Sequence, residues 1–201
     1  MSTTDEAYTN RLREIQTRKF KELLQINRLY ALSLQRIGLG KTLEIGCGTG
    51  RILKYLPNAV GVDHNAHSVA FARKAGLEAY TVQEFEKIVR QPANSSKIEL
   101  FDSIVFPHVI EHLSAEDAHQ LVAKYLPFLK NDGSLVFVCP QEAGYKSDST
   151  HVEFYDVDNL VALGEDFGYS LISHFSFPLW RKLGKWLRFN ETVVHMKKSM
   201  D

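Results

Sequence analysis

The sequence predicts an α/β fold with a mostly parallel sheet, and three observations carry the prediction. Thr42 to Ile45 is an apolar run that stops at three glycines spaced two apart, Gly46, Gly48 and Gly50, and a helical pattern follows them. Ala59-Val60-Gly61-Val62 is a second apolar run and ends in Asp63. From there to the end of the chain, short apolar runs alternate with helical periodicities, the pattern of βα units. A chain of 201 residues is long enough for one domain with a real core, and a hydrophobic fraction of 44% is ordinary for a globule.

Taken in order, residues 1–7 are polar. From Tyr8 to about Ile37 there is no Gly or Pro, and apolar residues such as Leu12, Ile15, Leu23 and Leu29 fall nearly at helical period, so one or two amphipathic helices are expected. Thr42–Ile45 is the first strand, with a helix over residues 50–56. After Asp63, His64-Asn65 starts a turn, Ser68 to Lys74 is helical and Gly76 is its C-cap. Leu77 to Val82 is the third strand, Gln83-Glu84-Phe85 lies at its end, and residues 91–96 are a polar loop. Phe101 to Phe106 is the fourth strand. Ser114 and Asp117 form a capping-box variant opening a helix with Ala118, Leu121, Val122, Tyr125 and Leu129 on one face. Asn131-Asp132-Gly133 turns into a fifth strand, Ser134 to Cys139. Pro140 to Glu153 is a long polar loop, Val157 to Phe167 a helix closed by Gly168, and two last strands lie near Tyr169–Phe177 and Glu191–Met196.

Composition removes some functions. Lys plus Arg equals Asp plus Glu at 24 each, so no global field draws the protein to nucleic acid or anionic lipid, although a local patch still can. Two cysteines, Cys47 and Cys139, make no disulfide framework, and both are expected reduced, in the cytoplasm. No signal peptide is read at the start, and no apolar run reaches the ~18 residues of a membrane helix. A monomer or homodimer is expected.

Strand, glycine turn and helix together form the setting in which a nucleotide lies against bare backbone. The spacing is G-x-G-x-G, which by itself also suits an ordinary strand-to-helix turn. An acidic residue ending the second strand of an open α/β sheet accepts hydrogen bonds from ribose hydroxyls. With Phe101-Asp102-Ser103-Ile104 opening the fourth strand, the three motifs resemble those of the class I S-adenosylmethionine-dependent methyltransferases, over about residues 36–198. The resemblance implies a Rossmann-like seven-stranded sheet in the order 3-2-1-4-5-7-6 with strand 7 antiparallel. It implies a methyltransferase domain over residues 38–201 and an N-terminal segment, residues 1–37, acting as a lid. The implied cofactor is S-adenosylmethionine, leaving as S-adenosylhomocysteine. Implied cofactor contacts are Glu44, Gly46, Cys47, Gly48 and Gly50 in the turn, Asp63 and His64 after the second strand, Gln83 or Glu84 near adenine, and Phe106 and His108 after the fourth. Two rivals stand beside it: a nicotinamide oxidoreductase, which lacks an evident hydride-transfer motif here, and a non-catalytic cofactor-binding module.

The sulfonium of that cofactor is already a strong electrophile, so the protein mainly orients the acceptor, and a base is needed only where the nucleophile must lose its proton early. His108, Glu111 and His112 fall at i, i+3 and i+4, one face of a helical turn. Three readings stand: packing and capping, contact with cofactor and acceptor, and a metal site. The segment is similar to the E-V-I-E-H of metal-dependent small-RNA ribose 2′-O-methyltransferases, with His108 in place of the first Glu, and His151 falls where that family brings a further ligand. Metal is therefore an alternative and is not assigned. His108, His151, Glu111 and His112 are the candidate catalytic residues, with His108 or His151 as base or acceptor anchor and His112 in support. Gln141, Tyr145, Asp148 and Thr150 crowd the loop that carries His151, as an acceptor pocket would require. Residues 177–189 mix basic and aromatic side chains, either a surface loop or a rim for a small or carrier-linked acceptor such as a glycan or lipid conjugate.

Overall fold

The computed structural model describes Tyr30, residues 32–90 and residues 100–199. Its strands are β1 (Thr42–Ile45), β2 (Ala59–Asp63), β3 (Ala79–Thr81), β4 (Phe101–Pro107), β5 (Leu129–Pro140), β6 (Tyr169–Phe177) and β7 (Glu191–Lys198). They lie in the order β3-β2-β1-β4-β5-β7-β6. β1 with β2, β2 with β3 and β4 with β5 pair in parallel, whereas β7 runs antiparallel to both β5 and β6. The sheet is the one the motifs imply. Backbone contacts divide the chain into two compact units, residues 1–100 and 101–201, and each is taken by itself.

In the first unit, β1 is buried along its whole length and is followed at once by the glycine turn. Gly61, mid-strand in β2, is a glycine because a Cβ there would meet Cys47 Sγ at 2.6 Å and Leu53 at 2.8 Å. The turn thus lies directly on the backbone of β2, the close approach a strand glycine permits. Helix α1 (Ala66–Lys74) starts at Asn65, whose side chain accepts from the backbone N–H groups of His67 and Ser68. Gly76 ends it at φ +80°. Val69 and Ala72 pack with Cys47, Leu53 and Ala79 into a small core.

Two expectations are corrected here, and two others are not reached. The helix over residues 50–56 is only a 3-10 turn, Leu53–Tyr55, because the six residues between Gly50 and Pro57 leave no length for α-helical bonds to propagate. The third strand stops at Thr81, and Val82 already opens helix α2 (Val82–Arg90). Thr81 Oγ1 accepts from Glu84 N at 3.2 Å while Glu84 Oε2 accepts from Thr81 N at 2.8 Å, a capping box that alternation of apolar residues did not reveal. The expected N-terminal lid and the 91–96 loop lie outside the described residues, apart from helical backbone at Tyr30 and residues 32–35.

In the second unit, β4, β5 and β7 supply a core of fully buried residues, among them Ile104, Phe106, Leu135, Phe137, Val194 and Met196. Helix α3 (Ala115–Tyr125) opens where Ser114 accepts from Asp117 N at 3.1 Å, and it buries Ala118, Val122 and Tyr125. Leu129 lies past that helix and begins β5. Asn131 to Gly133 are an irregularity within the strand, which shifts register between its pairings at Leu129 and Ser134. The polar loop after β5 contains one helical turn, α4 (Glu142–Tyr145). Helix α5 (Val157–Glu165) carries a full capping box from Asp156 and Asn159.

Candidate functional site

In the first unit, the glycine turn is folded across the end of β2. Gly46 N and Cys47 N both donate to Val62 O, at 2.7 and 3.2 Å. Gly46 at φ +77° and Gly48 at φ +54° occupy backbone conformations that side chains disfavour. The space where a Gly48 Cβ would stand holds nothing within 4 Å, so the backbone is open to a ligand. Asp63 locks the turn: Oδ2 accepts from Gly48 N at 2.7 Å and Oδ1 from Asn65 N at 2.8 Å. An ionised carboxylate has about four acceptor sites, so capacity for a diol remains. Exposed His64 brings Nδ1 within 3.6 Å of Asp63 Oδ1.

Glu44 is the unusual member. Its side chain is 1% exposed, and Oε2 is buried with no hydrogen-bond partner. Burial raises its pKa to about 8, with Asp63 adding to the rise and Arg51 opposing it. Near neutral pH Glu44 is mostly protonated, an interior acid whose burial outweighs the pull of Arg51. The Cys47 thiol is also pushed up by burial, and next by the Glu44 and Asp63 carboxylates, so it is inert rather than nucleophilic. Gln83 is exposed in the first turn of α2. Glu84 is committed elsewhere: Arg73 binds both its oxygens, at 3.1 and 2.7 Å, and holds its pKa down at about 2 together with the bond from Thr81. A cleft beside Gly38, Gly40 and Tyr55 lies at the opposite end of β1 and has no carboxylate in its lining.

In the second unit, the loop after β4 and the loop after β5 are stitched together. Glu111 O accepts from Val152 N at 2.8 Å and from Glu153 N at 3.3 Å, and His112 Nδ1 donates to Thr150 O at 3.1 Å. Consequently His112 and His151, far apart in sequence, have ring centroids 4.8 Å apart. His151 Nδ1 donates to Tyr145 O at 2.7 Å, and its ring stacks on Tyr145 at 5.3 Å. A carbonyl only accepts, so in the neutral form both imidazoles carry hydrogen on Nδ1 and present a lone pair at Nε2. Phe106 is fully buried and stacks on Phe137 at 5.6 Å, so its side chain belongs to the core. Gln141 is likewise 1% exposed, its amide donating to Ser176 Oγ and Glu191 O, which removes it from any open pocket.

His108 departs most from expectation. A helical turn does not hold it: it sits at φ +55°, before a 3-10 turn that covers only Ile110–His112. Its Nδ1 lies 3.3 Å from Glu111 Oε1 and its Nε2 2.8 Å from Glu191 Oε1. Burial works against the charged ring, but Glu191 and Glu111 outweigh it and raise the pKa to about 9. At neutral pH His108 is a cation with both nitrogens engaged, not the free base its ordinary pKa suggested. Glu111 is 1% exposed, and neither of its oxygens receives a hydrogen bond. Burial pushes the Glu111 carboxyl up, and the His108 cation more than compensates and holds it low.

This pair predicts an alkaline limb of stability. A group with a raised folded pKa contributes fully below its unfolded value, ~6.5 for His, and loses that contribution as pH rises through about 9. His108→Ala also strands Glu111, at about 3–5 kcal/mol. Urea midpoints followed from neutral to alkaline pH should fall for the wild type and stay flat, at a lower level, for His108→Ala. Identical limbs would remove the ion pair from the account.

Ligand atoms of Glu111, His112 and His151 all lie within 4.8 Å of one another. A buried carboxylate paired only with the His108 ring and two imidazoles whose Nδ1 atoms face carbonyls form a donor set that suits a base with its positioning groups, and equally a divalent ion. The Cys139 thiol beside them is driven well up, first by burial and then by Glu111, and offers no nucleophile.

Comparison with known proteins finds likenesses to methyltransferases. Residues 43–135 match the family model described as a methyltransferase domain. Over that stretch the chain is similar to the methyltransferase-domain family. An uncharacterised methyltransferase of Bacillus cytotoxicus is 28% identical over 102 residues, 49% of this chain and 46% of that relative, so the match spans about half the relative's length. Among solved structures, magnesium protoporphyrin IX methyltransferase from Synechocystis PCC 6803 with bound S-adenosylhomocysteine superposes with a TM-score of 0.69 at 12% identity, covering 98% of this chain and 97% of that one. A SAM-dependent methyltransferase from Archaeoglobus fulgidus gives 0.65 at 18% identity, covering 86% and 94%. At such identities these likenesses show the fold alone. The matched residues include both the glycine turn and the segment 108–112.

Proposed function

We propose that the protein binds S-adenosylmethionine at the glycine turn of its first unit and transfers the methyl group to a small or carrier-linked acceptor. The observation that carries this reading is Glu44, an interior carboxyl with an unpartnered oxygen at the foot of a turn whose backbone is open over Gly48. When bound, the cofactor supplies an electrophilic methyl on a cationic sulfonium and brings an ammonium with it. Glu44 loses its proton and takes up positive charge. Asp63 accepts from the ribose diol through the lone pairs its backbone donors leave, and Gly46 and Gly48 admit the ligand against the main chain. In the second unit, His151 Nε2 takes a proton from the acceptor's hydroxyl or amine, while the Nδ1 bond to Tyr145 O holds the ring. His108 is a positioning residue that keeps Glu111 ionised. Glu84 and the Phe106 side chain carry no part in this reading.

One observation favours a second reading. Glu111 without a hydrogen bond, beside His112 and His151 with Nε2 lone pairs, fits a divalent ion. Those three residues would hold it, and it would supply Lewis-acid polarisation of an acceptor oxygen. His108, with both nitrogens on carboxylates, would not be a ligand.

Calorimetry with S-adenosylhomocysteine tests the first reading. Glu44, raised to about 8, should release close to one proton on binding at pH 7, seen as a binding heat that changes with buffer ionisation enthalpy. In Glu44→Gln that dependence should vanish. Tight binding of NAD with no response to S-adenosylhomocysteine would point to an oxidoreductase instead.

A further inference from the structure

Residues 178–190 are unlike the rest of the chain. Whereas acids and bases balance overall, this stretch holds four cations, Arg181, Lys182, Lys185 and Arg188, and no Asp or Glu. It also holds both tryptophans of the protein. Trp180 is 84% exposed and Trp186 72%, with Leu179 and Phe189 exposed beside them in sequence. Exposed apolar side chains are normal singly, but four in eleven residues, two of them tryptophans, mark an interaction surface.

The backbone beneath them is firmly built. Leu179 N donates to Asn190 Oδ1 at 2.9 Å, and Asn190 Nδ2 donates to Gln141 Oε1 at 2.8 Å and to Trp180 O at 3.2 Å. Gln141 and Asn190 are both buried. Gly184 rests on Gln141 so closely that no side chain fits between them. Arg181 is tied to Glu142 by two bonds, at 2.7 and 2.8 Å. Buried amides thus fix a short loop whose apolar side chains remain in water. That arrangement preorganises a contact and avoids the entropy cost of ordering a floppy loop on binding.

We propose that residues 179–189 dock on an anionic lipid surface. Trp180, Trp186, Leu179 and Phe189 enter the headgroup boundary, and Lys182, Lys185 and Arg188 meet lipid phosphates. Tryptophan prefers the interface because its ring is amphipathic, and the long stems of Lys and Arg let their charges stay at phosphate level. Single-stranded nucleic acid would also stack on tryptophan, but it has no use for an exposed leucine and phenylalanine beside the cations. No helix among the described residues is long and apolar enough to cross a membrane, so the contact is peripheral.

Because both tryptophans lie in this loop, intrinsic fluorescence of the full chain reports on it alone. The protein should sediment with vesicles of equimolar phosphatidylglycerol and phosphatidylcholine at low salt, with a blue shift of emission, and stay free with phosphatidylcholine alone. High salt should release it, since the attraction is screened within a Debye length. Lys182→Ala with Lys185→Ala should lower the partition coefficient about 25-fold, roughly fivefold for each charge. Trp180→Ala and Trp186→Ala should each lower it about tenfold or more by loss of a buried ring, without changing S-adenosylhomocysteine binding. Absence of sedimentation at low salt, equal binding to both vesicle types, or variants that bind like the wild type would each overturn the proposal. So would a dimer abolished by Trp180→Ala, which would assign the surface to a second copy, or a blue shift with single-stranded RNA in place of vesicles.

Discussion

His151→Ala should lower methyl transfer by about 10²–10⁴-fold, the usual effect of removing a positioned base, while leaving S-adenosylhomocysteine affinity unchanged. The ring is held by its bond to Tyr145 O and by stacking on Tyr145, so Nε2 is fixed in direction before any acceptor arrives. Measurement requires an acceptor, found by screening candidate small molecules and carrier conjugates with labelled methyl donor. A chelator then separates the two readings of the site. If His151 is a base, a chelator leaves turnover intact. If Glu111, His112 and His151 hold an ion, a chelator abolishes turnover in the wild type, Mn²⁺ or Zn²⁺ restores it, and His112→Ala is as damaging as His151→Ala. Full turnover in both His151→Ala and His112→Ala would remove the cluster from catalysis.

Asp63→Ala should raise the dissociation constant for S-adenosylhomocysteine about 100-fold. A carboxylate accepting from a buried ribose diol contributes about 2–3 kcal/mol, and 1.4 kcal/mol is a factor of ten. The same change releases Gly48 N and Asn65 N, which Asp63 holds at 2.7 and 2.8 Å, so the open face of the turn also loses its shape. Asp63→Asn is the sharper probe: it retains an acceptor oxygen but no charge, and its effect should be intermediate. Calorimetry on variants whose circular dichroism matches the wild type reads both. An unchanged constant in folded Asp63→Ala would place the ribose elsewhere.

Some of this was legible residue by residue. Glycines at 46, 48 and 50 and the acid at 63 announce their conformations and chemistry locally, and the turn is built as they suggest. Ser114, Asn65 and Asp156 likewise cap helices through groups two or three residues away. Glu84 was misread because its partners come from two directions. Thr81 is three residues back, but Arg73 reaches it from α1, and only their meeting shows that the carboxylate is spent on structure. The capping box was itself visible as Thr81 and Glu84, had the third strand been ended one residue sooner.

What the sequence determined by itself is the order of elements, the glycine turn with Asp63, and which ionisable residues follow β4 and β5, because each rests on periodicity, on contacts within a few residues or on composition. Only the tertiary structure decided the state of the groups that carry the chemistry. His108 is a cation because Glu191, on β7, closes on the ring nitrogen that Glu111 leaves free. His112 and His151 become neighbours because the Glu111 carbonyl pins the 152–153 backbone. Gln141, read as a pocket residue, is a buried brace because Asn190, just before β7, and Ser176 of β6 come to meet it. Charge state and burial depend on every dipole and charge within a few ångströms, and a linear sequence does not state which those are.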